Sequence, residues 1–99
     1  MATVVSIGRN VGELPMDEDR WATFRGKVLA AVRAYTGEIY FYGVGNGLYE
    51  GKVEESFTAI GETIDDVWLT SKFVAKMTEV AKEYEQEAIA ITIGDTILA

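Results

Sequence analysis

The 99 residues contain no cysteine and no histidine. Without cysteine there is no disulfide framework and no thiolate metal site. Without histidine there is no Ser-His-Asp or Cys-His triad and no imidazole general base. A zinc site would have to be built from carboxylates alone, which is rare, so neither a metal nor a cofactor is expected, and no catalytic residue is assigned. Long apolar runs are also lacking. None approaches the roughly 20 residues that span a bilayer. The stretch from Met1 to Arg9 has no basic region ahead of its apolar residues, as a secretory signal would. The expectation is a cytoplasmic protein without membrane contact.

Basic side chains are scarce. Nine Lys and Arg face sixteen Asp and Glu, a net charge of −7. Residues 1–36 carry five basic and four acidic side chains; residues 37–99 carry four and twelve. An acidic surface repels phosphate, which argues against nucleic acid and anionic membranes as partners. Acidity of this kind serves solubility, or attracts a basic partner, with an acidic DNA mimic as a special case. The acids form no long run.

What is present suits one packed domain spanning residues 1–99. Hydrophobic residues make up 48%, and a chain of this size buries roughly two thirds of its unfolded surface. Thr3 to Arg9 is β-branched and short, a strand pattern. Asp17 is placed to cap a helix, with Glu18 and Asp19 in its first turn. Met16 and Trp21 have the spacing of a hydrophobic staple. Trp21, Phe24, Val28, Ala31, Val32 and Tyr35 then follow 3–4 spacing.

Glu38 to Val44 reads as a second strand, with Ile39 and Phe41 toward the core and Tyr40 and Tyr42 on the other side. Gly45-Asn46-Gly47 offers the positive φ angles of a tight reversal. Val53 to Ile60 reads as a third strand. Asp65 or Asp66 caps a second helix with the stripe Leu69, Phe73, Met77, Val80, Tyr84. Glu87 to Gly94 closes as a strand, and Asp95 to Ala99 forms a tail. Strand, helix, strand, strand, helix, strand is the order of a ferredoxin-like βαββαβ two-layer sandwich, an α+β fold with an antiparallel four-stranded sheet in order 4-1-3-2 and two helices on one face.

Such a sheet leaves one face open. Ser6, Tyr40, Tyr42, Ser56, Thr58, Ala90 and Thr92 are expected there. Tyrosine couples a large contact area to a polar tip, so the open face is a solvent surface, a homodimer interface or a ligand cleft. Tyr40, Tyr42, Tyr49 and Glu55 are the candidate binding residues, with Arg9 and Asn10 at the end of the first strand. Glu54 and Glu55 are neighbours on a strand and point apart, so they form no acid/base pair. Gly43 to Gly47 resembles a dinucleotide fingerprint only superficially, because it opens no helix.

At SIGRNVG, PMDEDRWATF, GLYEGKVEES and EYEQEAIAITIG the sequence resembles a group of small uncharacterised proteins from actinobacteria and their phages. Trp21, Gly47, Tyr49, Gly51, Tyr84, Gln86 and Ala88 carry the resemblance, with Tyr49 where many such proteins have Trp. It implies a phage or bacterial accessory protein of unknown function, working in the cytoplasm (the host's, if phage-encoded). It implies no activity and no site residue. With the missing catalytic residue types, it points to a non-enzymatic homodimeric binding module acting on a host protein or small molecule, with counter-defence as one such role. The alternative is a cofactor-free enzyme or small-ligand binder built like the dimeric α/β barrels.

Overall fold

The structure is a computed structural model that describes residues 1–94, with only the backbone of Tyr49. The expected tail, Asp95 to Ala99, lies outside the described residues. Strand β1 (Ala2–Gly8) leads through two short strands, β2 (Asn10–Val11) and β3 (Leu14–Pro15), into helix α1 (Glu18–Tyr35). Strands β4 (Thr36–Tyr49) and β5 (Lys52–Thr63) form a long hairpin, followed by α2 (Val67–Glu83) and β6 (Ala90–Gly94). The main sheet is antiparallel in the order β4-β5-β1-β6.

Both helices start where the sequence places caps. The Asp17 carboxylate accepts from the Arg20 N–H at 2.8 Å, and that of Asp66 from the Leu69 N–H at 3.0 Å. Each satisfies a backbone donor that the first turn leaves without a partner. The apolar stripes then meet one sheet face. Val5, Ile7, Phe57 and Ala59 pack with Trp21, Phe24, Val28, Val32, Phe73, Met77 and Val80 in a single buried cluster. Tyr84 stacks on Phe24 at 4.6 Å and Tyr35 on Phe73 at 4.5 Å, joining the two helical segments through aromatic faces. Trp68 takes no part in this core. It is 67% exposed, with the Lys72 ammonium over its ring.

The hairpin departs from expectation in two ways. The chain reverses at Glu50 and Gly51, both at positive φ (51° and 78°), between the paired residues Tyr49 and Lys52. A two-residue turn of this kind matches the twist of its strands. Gly45-Asn46-Gly47 therefore lies inside the ladder rather than forming the turn, and β4 runs on to Tyr49. The second departure is a register shift between Ile39 and Phe41. Tyr40 is the extra residue of a β-bulge, and every side chain beyond it changes face. Phe41 is thus 55% exposed on the open side, opposite Ile60, whereas Tyr42 pairs with Ala59 on the helix side. The expected partition of Phe41 and Tyr42 is reversed.

Candidate functional site

Alternation places Val4, Ser6 and Gly8 of β1 beside Ile60, Thr58 and Ser56 of β5 on the uncovered face. Gly43, Gly45 and Gly47 of β4 continue the same cross-strand rows, opposite Thr58, Ser56 and Glu54. Below the Phe41-Ile60-Val4 row the result is a floor of glycine, serine and threonine, with Glu54 the one large side chain at its far end.

At the hairpin end this floor deepens into a groove of about 740 Å³. Its walls are β2 with the β2–β3 turn (Asn10 to Glu13), the hairpin tip, and the segment after α2 (Glu85 to Ala88). Glu13, Glu50, Glu54, Glu85 and Glu87 line it, with Lys52 as its one basic lining residue. Lys52 Nζ is 3.1 Å from the Glu13 carboxylate, so its charge is offset within the groove. The acids are spread around the rim. Among the described residues no three acidic side chains stand close enough to hold a metal ion. Five glutamates against one lysine leave the lining of the groove net negative.

Glu54 is held in place. Its Oε1 accepts from the Asn10 N–H at 3.1 Å. The carboxylate lies across Gly8, where a Cβ would overlap it. The Gln86 amide donates to the Asn10 carbonyl at 3.1 Å, tying the third wall to the same turn.

The predicted site residues are not brought together. Asn10 lines the groove, and its backbone N–H and C=O bond to Glu54 and Gln86. Arg9 and Glu55 sit on the helix side. The Arg9 guanidinium donates to the Met16 carbonyl and to Glu55 Oε2, each at 2.7 Å, and is 3.3 Å from Glu18. The hydrogen bond from Arg9 holds the Glu55 carboxyl below the usual carboxylate range against the opposing effect of desolvation, with the Arg25 charge contributing. The buried Trp21 Nε1 makes no hydrogen bond of its own. This cluster braces the start of α1 against β5.

Tyr40 stands on the bulge and donates its hydroxyl to Glu62, which lowers the Glu62 carboxyl and raises the tyrosine. Tyr42 lies under the Arg33 guanidinium, 5.8 Å from its ring centroid. The Tyr49 side chain is outside the described residues. Sequence reasoning missed Glu54, Gln86 and the rim glutamates. The separation of Glu54 from Glu55 was readable from strand alternation, but only the fold brings Glu13, Glu50 and Glu87 to the same groove as Glu54.

No family model matches this chain, and no curated protein does. Among solved structures it is similar to a phage SAM lyase in its apo state, at 19% identity and a TM-score of 0.55. The match covers 91% of this chain and 75% of that one. The likeness is one of fold, a mixed α+β domain. None of the described helices is long and apolar enough to cross a membrane.

Proposed function

We propose that this protein is a phage-type accessory protein, built as a ferredoxin-like βαββαβ sandwich, that binds a small cationic metabolite in its acidic groove. The ligand class is a sulfonium or amine, with S-adenosylmethionine the first candidate, and the place of action is the bacterial cytoplasm. The observation that carries this reading is the ring of five glutamates around a groove of about 740 Å³. That volume lies in the range of small-molecule sites. A fixed carboxylate at Glu54 and a floor of small residues suit a cation lying close to the sheet. The fold likeness to a phage SAM lyase supports the choice of candidate.

Titration calorimetry with S-adenosylmethionine and S-adenosylhomocysteine tests it, since the two differ in the sulfonium charge. The charged ligand should bind at least about tenfold more tightly, a difference of about 1.4 kcal/mol, and Glu54→Gln should remove most of that preference. Equal affinities, or no binding of either, would overturn the proposal.

A second reading makes the protein an enzyme that cleaves the same ligand. The fold likeness favours it: Glu54 then takes a proton from the carbon next to the one bonded to sulfur, a carbon–carbon double bond forms, and the carbon–sulfur bond breaks to release a neutral thioether. Chromatography of the ligand after incubation decides between them. Products formed by the native chain and lost in Glu54→Gln select the enzyme; intact ligand selects the binding module.

A further inference from the structure

Strand β4 is an edge of the sheet, and its outer side is unusually bare. From Phe41 to Tyr49 the register to β5 has no shift. The stretch from Ile39 to Tyr49 has no charged residue and no proline, although a quarter of the chain is charged. Charge, proline, a bulge or short length are the devices that keep an edge from pairing. The bulge of β4 lies before Phe41, so the nine residues beyond it have none of these protections. The opposite edge, β6, has five residues.

Which backbone groups face outward follows from the turn. In a two-residue hairpin the closing residues, Tyr49 and Lys52, exchange hydrogen bonds, and alternate pairs along the ladder do the same. Gly47, Gly45, Gly43 and Phe41 therefore bond to β5, while Leu48, Asn46, Val44 and Tyr42 point their N–H and C=O groups outward. The Glu55 carbonyl confirms the phase. It accepts from the Arg9 N–H at 2.9 Å, so Glu55 bonds toward β1, and among the described residues its ladder partner Asn46 keeps its N–H and C=O on the outer side.

The sequence FYGVGNGLY is nearly self-complementary about Gly45. An antiparallel copy centred there sets Gly43 opposite Gly47, Tyr42 opposite Leu48, Phe41 opposite Tyr49 and Val44 opposite Asn46. Gly45 meets itself at the axis. In this register the outward residues of one chain fall opposite the outward residues of the other, so every free N–H and C=O from Tyr42 to Leu48 finds a partner. None of the paired residues from Phe41 to Tyr49 carries a charge. Tyr42 and Leu48, 50% and 76% exposed, become a cross-strand pair, the unit that stabilises sheets. A register one residue away would set outward residues against inward ones.

We infer that two copies of this chain pair edge to edge through β4, with a two-fold axis at Gly45, into one continuous eight-stranded antiparallel sheet. The contact is isologous, as closed two-fold dimers require. It uses the edge and leaves the open face free, unlike a dimer made by stacking open faces. Each hairpin tip, which forms a wall of the acidic groove, is then fixed by a second strand.

Sedimentation of the full chain at high micromolar concentration should show a dimer. Hydrogen exchange should show the Tyr42, Val44, Asn46 and Leu48 amides protected, and increasingly so with concentration. Val44→Pro removes one outward N–H without touching a bond to β5, a position that tolerates proline. It should weaken the dimer at least about tenfold with the thermal transition still cooperative. Val44→Lys, which sets two like charges beside the axis, should do the same and serves if the proline variant does not fold. A chain that stays monomeric overturns the inference. So does a dimer whose four amides exchange freely, or one that both Val44 variants leave intact.

Discussion

Alternate residues of the same strands build the two faces of the sheet, yet the faces answer to different demands. On the helix side Val5, Ile7, Phe57 and Ala59 are at most 4% exposed and lock into the aromatic core. On the open side Ser6, Gly8, Ser56, Thr58 and Glu54 bury little apolar surface and stabilise little. Glycine in a strand weakens it, and carboxylates gathered around a groove repel one another. Under the proposed function these features serve the bound ligand. The helix face is therefore where substitutions should cost stability, and the open face is where they should cost binding.

Two phenylalanines give the largest test of that contrast. Phe57→Ala should lose about 3–5 kcal/mol of unfolding free energy, the usual cost of truncating a buried phenylalanine. Phe41→Ala, on the opposite face, should lose less than about 1 kcal/mol. Urea denaturation of both measures the gap, and similar losses would mean that Phe41 is buried in solution.

Two glycines sharpen the contrast within the open face. A methyl at Gly8 collides with the Glu54 carboxylate, whereas one at Gly45 meets nothing within 4 Å, and neither residue has a positive φ. Gly8→Ala should displace Glu54 from the Asn10 N–H and weaken ligand binding about tenfold, about 1.4 kcal/mol. Gly45→Ala should leave the fold unchanged or raise its stability by about 0.4–1 kcal/mol through the unfolded chain. Melting curves with and without ligand separate the two.

Acid titration gives the smallest effect. The Glu55 carboxyl is depressed by Arg9. The stability it supplies is fully present above the ordinary carboxylate range, near pH 4.3, and is lost as pH falls through its lower folded value. Glu55→Gln should therefore flatten the acid limb of the stability curve. An unchanged limb would show that the pair with Arg9 contributes nothing in solution.

Both helices, their caps and their apolar stripes were legible because they rest on local spacing and on side chains that bond their own turn. Trp21, Phe24, Val28 and Asp17 needed no knowledge of distant residues. The strand order followed as well, since alternating strands and helices leave few ways to bury one face. The site was far less legible. Tyr40 and Tyr42 looked like neighbours on one face, and Arg9 and Glu55 looked available for a ligand. A single bulge separated the first pair, and an internal ion pair occupied the second.

The sequence by itself determined the two helices and the four strands of the main sheet, the absence of thiol and imidazole chemistry, and the acidic charge. These depend on residue identity and on contacts a few positions apart. The tertiary structure alone decided which face each β4 side chain takes, where the hairpin turns, and which glutamates share a groove. A one-residue shift in pairing inverts a strand, and it is set by the fit of β4 to β5. Glu13, Glu54 and Glu87 lie far apart in the chain and line one groove only because three connections converge at one end of the sheet.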